Sequence, residues 1–253
     1  MQTAAELGVA RHGDCLRLTL QRPDRGNALS RALVDALETA LAEARRAPPR
    51  LLVLQGEGRH FCTGFDLSDL DAETDDSLLA RFVRVELMLQ SLASAPFPTL
   101  AIAHGRVTGA GADLFCACAE RWVQGDATFS FPGAGFGLVL GTARLADAVG
   151  SARAQDWVMT GAPIDTASAR DAGLVTRQAG AGTAEDELAR WLPALQRLDG
   201  PTHAAIHAAS AVARRPRGAV GDYEDLARLV RSAARPGLKE RIAAYRAATA
   251  RVR

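Results

Sequence analysis

The stretch from Ala101 to Glu120, AIAHGRVTGAGADLFCACAE, constrains the fold of this chain more than any other. It opens on a short apolar run at 100–103, which is typical of a buried strand. A glycine-rich turn at 108–111 follows, and the small apolar residues at 112–119 favour a helix that is buried on all sides. A strand, a glycine loop and a helix in this order leave free backbone N–H groups at the start of the helix. The stretch therefore predicts a point that stabilises negative charge, either on a phosphate or on a developing oxyanion.

Asp113 falls in the first turn of this predicted helix, within reach of anything bound at the glycine loop. A lone buried carboxylate beside an oxyanion site is a candidate general base. A helix-capping role is the alternative.

Short apolar runs alternate with helical patterns along the first two thirds of the chain. Strands are predicted at 15–20, 51–54, 122–123 and 127–131, and helices after Ser30, over 78–92 and around 142–159. From about residue 184 onward the pattern is helical only. This order predicts an α/β core with a C-terminal helical region in a chain of 253 residues.

Charge and cysteine content exclude several classes of function. Lys and Arg total 30 and Asp and Glu total 29, so no overall field attracts nucleic acid or a membrane surface. No run of 18 apolar residues and no basic, apolar leader is present, which predicts a cytoplasmic protein. The four cysteines show no metal-ligand spacing and are expected to be buried, reduced thiols; no metal is predicted.

Four motifs occur in an order that resembles the enoyl-CoA hydratase/isomerase (crotonase) family. They are RPDRGNALS at 22–30, HFCTGFDL at 60–67, GRVTGAGADL at 105–114 and GAPIDTASARDAGLV at 161–175. The resemblance implies a spiral of ββα units over 1–198. It also implies a C-terminal helical region over 199–253 that serves oligomerisation and covers the active site. Homotrimers or homohexamers acting on acyl-CoA esters are expected, with coenzyme A as part of the substrate and no other cofactor.

The resemblance also assigns candidate catalytic residues. The backbone N–H groups of Phe65 and Ala110 would bind the thioester oxygen, and Asp113 would be the first of the two carboxylates that hydratases of the family use. The second carboxylate position falls on Gly133, and no Asp or Glu occurs between Asp126 and Asp147. Hydration by two carboxylates is therefore in question for this chain.

Further residues match positions that contact the substrate in the family. Arg25 would contact the phosphates of coenzyme A. The backbone around Thr63, Asp66 and Leu67 would contact its adenine end. Gly64 and Gly109 belong to the two glycine motifs. Phe136, Met88 and Leu92 are candidate residues of the acyl pocket.

Three hypotheses of function follow. The first is an enzyme that stabilises the enolate of an acyl-CoA thioester: an isomerase, a lyase, a hydrolase, or a hydratase with altered acid-base groups. The second is a non-catalytic member that binds acyl-CoA esters, which Gly133 favours. The third is a dinucleotide-binding oxidoreductase, suggested by Thr108-Gly109-Ala110-Gly111. It fails because Leu114 stands where that fingerprint needs its third glycine.

Overall fold

The computed structural model describes residues 5–179, 183–215 and 218–250. A seven-stranded mixed sheet forms its centre, and its strands are β1 (Leu7–His12), β2 (Cys15–Leu20), β3 (Leu51–Gly56), β4 (Thr99–Thr108), β5 (Glu120–Ser130), β6 (Ile164–Asp165) and β7 (Arg177–Gln178). The spatial order is β1 to β6, with β7 also paired to β5. Strands β2 to β5 run parallel to one another. At the two ends of this order, β1 pairs antiparallel with β2 and β6 pairs antiparallel with β5.

Ten helices are described around this sheet: α1 (Arg31–Arg46), α2 (Asp75–Ala93), α3 (Ala110–Cys116), α4 (Thr142–Val149), α5 (Ser151–Thr160), α6 (Thr166–Asp171), α7 (Ala184–Gln196), α8 (Gly200–Arg214), α9 (Gly218–Ala233) and α10 (Leu238–Ala250). Ser30 caps α1 as its side chain accepts a hydrogen bond from the N–H of Leu33, which agrees with the predicted helix start. The mixed α/β class with a helical C-terminal part is confirmed. The division at residue 198 stays a prediction.

Two predicted strands are in fact one. The runs at 122–123 and 127–131 both belong to β5, and the exposed residues 124–126 between them hid its continuity in the sequence. The ladder to β4 shifts its register between Ala103 and Gly105, opposite this segment. Sequence analysis also missed β1, which pairs antiparallel with β2.

Helix α3 is buried along its whole length, as its composition of small apolar residues predicts. It follows β4 directly and packs into the main core, where Phe115 contacts the rings of Phe61 and Phe129. Because each of these rings is fully buried, α3 is fixed in direction and its N-terminal end has a defined position.

The C-terminal helix α10 lies over the edge of the core. The carboxylate of Asp75, in the first turn of α2, accepts hydrogen bonds from the N–H groups of Gly237, Leu238 and Lys239 at 2.8–3.1 Å. These bonds satisfy the N–H groups at the start of α10. None of the described helices is long and apolar enough to cross a membrane.

Candidate active site

Two glycine loops meet at the start of α3. An isolated parallel bridge joins Cys62 to Val107, and the N–H of Thr108 donates to the carbonyl of Cys62 at 3.0 Å. Gly64 has a φ of +99°, and a Cβ there would lie 2.6 Å from the carbonyl oxygen of Thr108 and 3.5 Å from the nitrogen of Ala110. Only glycine permits this approach, which brings the backbone after Gly64 beside the first turn of α3.

The N–H groups of Phe65 and Ala110 make no hydrogen bond to any of the described residues. Ala110 is the first residue of α3, so its N–H has no partner within the helix. Gly109 before it adopts φ +54° and ψ −128°, a conformation that turns β4 into α3 and that other residues rarely reach. Both Phe65 and Ala110 line one cavity.

This cavity has a volume of about 140 Å³. Most of the lining is apolar: Phe65, Leu67, Phe82, Phe131, Pro132, Ala134, Phe136, Leu138, Leu140 and Val158 take part, with Tyr245 and Arg246 of α10. The rings of Phe65 and Phe82 stack with their centroids 4.2 Å apart, and this contact holds both rings in place in the cavity wall.

Asp113 also lines the cavity, although only 4% of its surface is exposed to solvent. Its Oδ1 has no hydrogen-bond partner among the described residues. Burial raises the pKa of this carboxyl from 3.8 to about 8; the charge of Arg144 opposes this rise and that of Glu86 adds to it. Gly141, just before α4, lies so close that a Cβ there would overlap Oδ1 of Asp113. The site thus holds a carboxyl that changes charge near neutral pH.

A buried ion pair stands behind Asp113. Both terminal nitrogens of Arg144, on α4, bond the carboxylate of Glu86, on α2, at 2.8 and 2.6 Å. Gln90 donates to the same carboxylate at 2.7 Å and to the carbonyl of Asp222 at 2.9 Å. The pair is bidentate and has a third polar partner, so two charges are held in the core with their hydrogen bonds largely satisfied. It also ties α4, and with it Gly141, to α2.

Gly133 lies in the cavity wall, in the 3-10 helix Pro132–Phe136. It brings no side chain to the site. A Cβ there would lie an ordinary 3.6 Å from the carbonyl oxygen of Leu138, so the backbone at this position has room for one. In the described part of the chain, Asp113 is therefore the carboxylate that lines this cavity.

The predicted substrate-binding residues fall into two groups. Thr63, Gly64, Leu67, Gly109 and Phe136 line the cavity. Asp66 lies outside it and forms an ion pair with Arg22 at 2.8 Å, and Arg25 is exposed at the end of a short 3-10 helix. Their contacts with coenzyme A stay predictions.

The placement of Met88 and Leu92 in the acyl pocket is wrong. Both side chains are buried in the main core on α2, and neither lines the cavity. The helical spacing of Met88 and Leu92 marks the face of α2 that packs against the core. Phe82, about two turns nearer the N-terminus of α2, is the residue of this helix that lines the cavity.

Sequence reasoning missed Tyr245 and the pair of Glu86 and Arg144. Glu86 carried a signal, since it stands four residues after Phe82 on the apolar face of α2. A charged residue on such a face needs a buried partner. Tyr245 carried no signal, because its place depends on how α10 folds back over the core.

The four cysteines are all free and buried. Burial raises the pKa of the Cys62, Cys116 and Cys118 thiols to about 12, so these are unreactive core residues. No group of three or more His, Cys, Asp or Glu side chains that suits a metal ion occurs among residues 5–179, 183–215 and 218–250.

A parallel-stranded α/β core, two converging glycine loops and a covering C-terminal helix define a protein of crotonase-like fold. The sequence model of the enoyl-CoA hydratase/isomerase family matches residues 11–217, and the chain belongs to that family.

Relatives of known structure and sequence agree with this assignment. A putative enoyl-CoA hydratase/isomerase from Bordetella parapertussis is 40% identical, with a TM-score of 0.87 over 96% of this chain and 98% of that one. A probable enoyl-CoA hydratase, echA6, of Mycobacterium bovis is 32% identical over 76% of each chain. A peroxisomal dienoyl-CoA isomerase of Arabidopsis thaliana is 30% identical over 63% of each chain. The predicted fold is thus confirmed, and both hydratases and isomerases are among the relatives.

Proposed function

We propose that this protein acts on acyl-CoA thioesters by stabilising an enolate, and that Asp113 is its single proton-transferring carboxylate. The observation that carries the proposal is the meeting of three groups at one apolar cavity: the N–H groups of Phe65 and Ala110 and the Oδ1 atom of Asp113, none of which has a hydrogen-bond partner among the described residues. No cofactor besides the coenzyme A of the substrate is required.

The two N–H groups would donate hydrogen bonds to the thioester carbonyl oxygen. Removal of a proton from the carbon next to the carbonyl moves negative charge onto that oxygen, and donors held in an apolar site stabilise it strongly. One such donor contributes about 3 kcal/mol to the transition state. Since both donors are backbone groups, the side chains of Phe65 and Ala110 serve packing only.

Migration of a double bond suits a single carboxylate. Ionised Asp113 takes the proton from Cα of a 3-enoyl thioester, and the electron pair forms the enolate. The same carboxyl then returns the proton to Cγ, which leaves the double bond between Cα and Cβ. No water or other reactant is consumed. Hydration instead needs a base for the water and an acid for Cα, and Gly133 supplies neither.

Turnover of 3-hexenoyl-CoA and of crotonyl-CoA tests the proposal. Isomerisation raises the absorbance of the conjugated enoyl thioester and hydration lowers it, and mass spectrometry separates water addition from migration. We expect isomerisation that Asp113→Asn abolishes. Hydration is expected to be slower than in a two-carboxylate relative by roughly 10²–10⁴-fold.

The alternative function is binding of acyl-CoA esters without chemistry, which the missing side chain at Gly133 favours. Calorimetric binding of butyryl-CoA together with no turnover of either enoyl ester would establish that alternative. An absence of binding would exclude both.

A homotrimer or a pair of trimers is proposed as the assembly. Helices α8 and α9 expose apolar side chains that a monomer would leave in water: Ile206 is 54% exposed, Val212 72%, Val220 67% and Tyr223 75%. Several such residues on adjacent helices are typical of an interface.

A further inference from the structure

A second cavity lies at the other end of α3 from the candidate active site. Its volume is about 150 Å³, close to that of the active-site cavity. Thr99, the first residue of β4, and Cys116, the last residue of α3, line it. The active-site cavity is lined instead by Thr108 and Ala110, at the opposite ends of the same two elements. Since none of the described residues lines both cavities, the second is a separate site.

Arginines supply most of the charge in the wall of this second cavity. β5 contributes Arg121, α4 contributes Arg144, and the end of α8 contributes Arg214 and the following Arg215. We call the space that these four residues line the arginine cavity. Asp147, on α4, is the acidic residue of the described lining, and it has an interaction partner of its own. The wall therefore carries more positive than negative charge.

Two of these four arginines are paired with carboxylates. Arg144 bonds the carboxylate of Glu86 through both terminal nitrogens. Arg215 bonds both carboxylate oxygens of Asp222, at 2.5 and 2.6 Å. These pairs neutralise two of the positive charges. The Nε of Arg144 is buried and has no hydrogen-bond partner among the described residues, so one donor of this guanidinium is unused.

Arg121 and Arg214 form no ion pair with the described carboxylates. The Arg121 guanidinium donates to four backbone carbonyls at 2.7–3.2 Å, which fix its position without a carboxylate to balance its charge. Arg214 donates to the hydroxyl of Ser210, one turn earlier on α8, at 2.9 Å. A guanidinium has five N–H donors, so Arg214 keeps further donors for a ligand.

The positive charges of these two arginines act on each other. Burial lowers the pKa of the Arg214 guanidinium; the charge of Arg121 lowers it further, and that of Glu120 opposes this. Burial also lowers the pKa of His207, whose Nε2 lies 3.0 Å from the carbonyl oxygen of Ala95, so this ring of the lining is uncharged at neutral pH. A bound anion would reduce the repulsion between Arg121 and Arg214.

We propose that the arginine cavity binds a phosphate group, with Arg214 as its main ligand and Arg121 adding its charge. A planar guanidinium matches phosphate oxygens with paired N–H donors, and a phosphate dianion balances two positive charges. A cavity needs only about 10–15 Å³ to hold a water, so a volume of about 150 Å³ has room for this group. The occupant is inorganic phosphate or the phosphate of a small phosphomonoester. The site is independent of the acyl-CoA function proposed above.

Phosphorus NMR titrations with inorganic phosphate and with glycerol 3-phosphate test the site. They are made at constant pH in about 0.15 M NaCl, which screens weak surface contacts. For the parent we expect saturable binding of at least one of the two at millimolar concentration. Tighter binding of the ester identifies a phosphomonoester as the occupant, and tighter binding of the free ion identifies inorganic phosphate. Saturation by neither refutes the proposal.

Three variants locate the bound phosphate. Arg214→Gln removes a charge of the cavity wall and should weaken binding by about 10- to 100-fold, as expected for the loss of charge-assisted hydrogen bonds. Asp147→Asn removes a negative charge from the lining and should strengthen binding. The matched control is Arg153→Gln, at an exposed position of α5 outside the cavity, which should bind phosphate as the parent does.

Several outcomes would overturn the site. Equal affinities of the parent and a folded Arg214→Gln refute it, and so does equal weakening by Arg153→Gln, because phosphate would then respond to net charge alone. If Arg214→Gln does not fold, Asp147→Asn decides, and binding no stronger than that of the parent refutes the site. Displacement of phosphate by butyryl-CoA would place it in the coenzyme A site instead. Because the phosphate titrations need no acyl-CoA ester, their failure leaves the acyl-CoA function standing.

Discussion

Replacement of Asp113 by Asn should stabilise the protein and abolish its turnover at the same time. The substitution keeps the shape of the side chain and removes the ionisable group. Asp113 is 4% exposed, its Oδ1 has no hydrogen-bond partner among the described residues, and burial raises its pKa to about 8. The folded protein therefore holds this carboxyl in its neutral form at the expense of its charged form.

The size of the effect follows from the two pKa values. In the unfolded chain Asp113 ionises near its ordinary value of 3.8, and in the folded protein near about 8. Between these values unfolding releases a proton, so the free energy of unfolding falls as the pH rises. The slope is at most about 1.36 kcal/mol per pH unit, which amounts to a loss of about 4 kcal/mol at pH 7. Asn has no charged form and avoids this loss.

Urea denaturation of the parent and Asp113→Asn at pH 5, 6, 7 and 8 measures the difference. The variant's advantage in free energy of unfolding should grow with each pH unit up to about pH 8 and then level off. Asp126→Asn, at an exposed position of β5, controls for the loss of one negative charge. In the parent, isomerisation should rise with pH up to about pH 8, because the base is ionised Asp113.

A constant difference in stability between pH 5 and pH 8 would refute the reasoning about the buried carboxyl. Turnover by Asp113→Asn at the rate of the parent would refute its role in catalysis. The two results are independent, since the first concerns the charge of a buried group and the second concerns proton transfer.

Four further predictions concern the rest of the site and the assembly. Ala110→Pro removes one N–H donor and should lower kcat for isomerisation by about 10²–10³-fold while circular dichroism shows the fold retained. Gly133→Glu should fold, since its Cβ has room beside Leu138, and should raise crotonyl-CoA hydration above that of the parent. Gly141→Ala should lower both the melting temperature and the turnover, because its φ is +67° and its Cβ would overlap the Asp113 carboxyl. Light scattering should give the mass of a trimer or hexamer, and a stable monomer at micromolar concentration would exclude it.

The sequence was sufficient to predict the two glycine turns that form the backbone of the candidate site. Gly64 and Gly109 follow strands and have positive φ, so their residue type indicates the local conformation directly. The family resemblance assigned Phe65, Ala110 and Asp113 from their positions in the two glycine motifs; all three line one cavity, and their roles stay predictions. The predicted α/β class rests on the same kind of local evidence, because alternating strands and helices are visible in the residue pattern.

Side chains that reach the cavity from distant elements were beyond such reasoning. Met88 and Leu92 have the apolar spacing of a buried helix face. This spacing does not distinguish the residues of that face that pack in the core from those that line a cavity. Tyr245 lies more than a hundred residues from the loop it contacts. Its placement depends on the capping of α10 by Asp75, a contact between two helices that are far apart in sequence.

The buried pair of Glu86 and Arg144 shows why the raised pKa of Asp113 is compatible with an arginine nearby. Alone, the Arg144 guanidinium would favour the charged form of Asp113 and hold its pKa low. Glu86 binds both terminal nitrogens of Arg144, so the two charges largely cancel at Asp113, and desolvation then determines the protonation state of Asp113. The proposed oxyanion site consists of two backbone N–H donors and adds no charge of its own. The proposed chemistry thus needs one neutralised ion pair, one buried carboxyl and no second acid, and it accounts for a glycine at position 133.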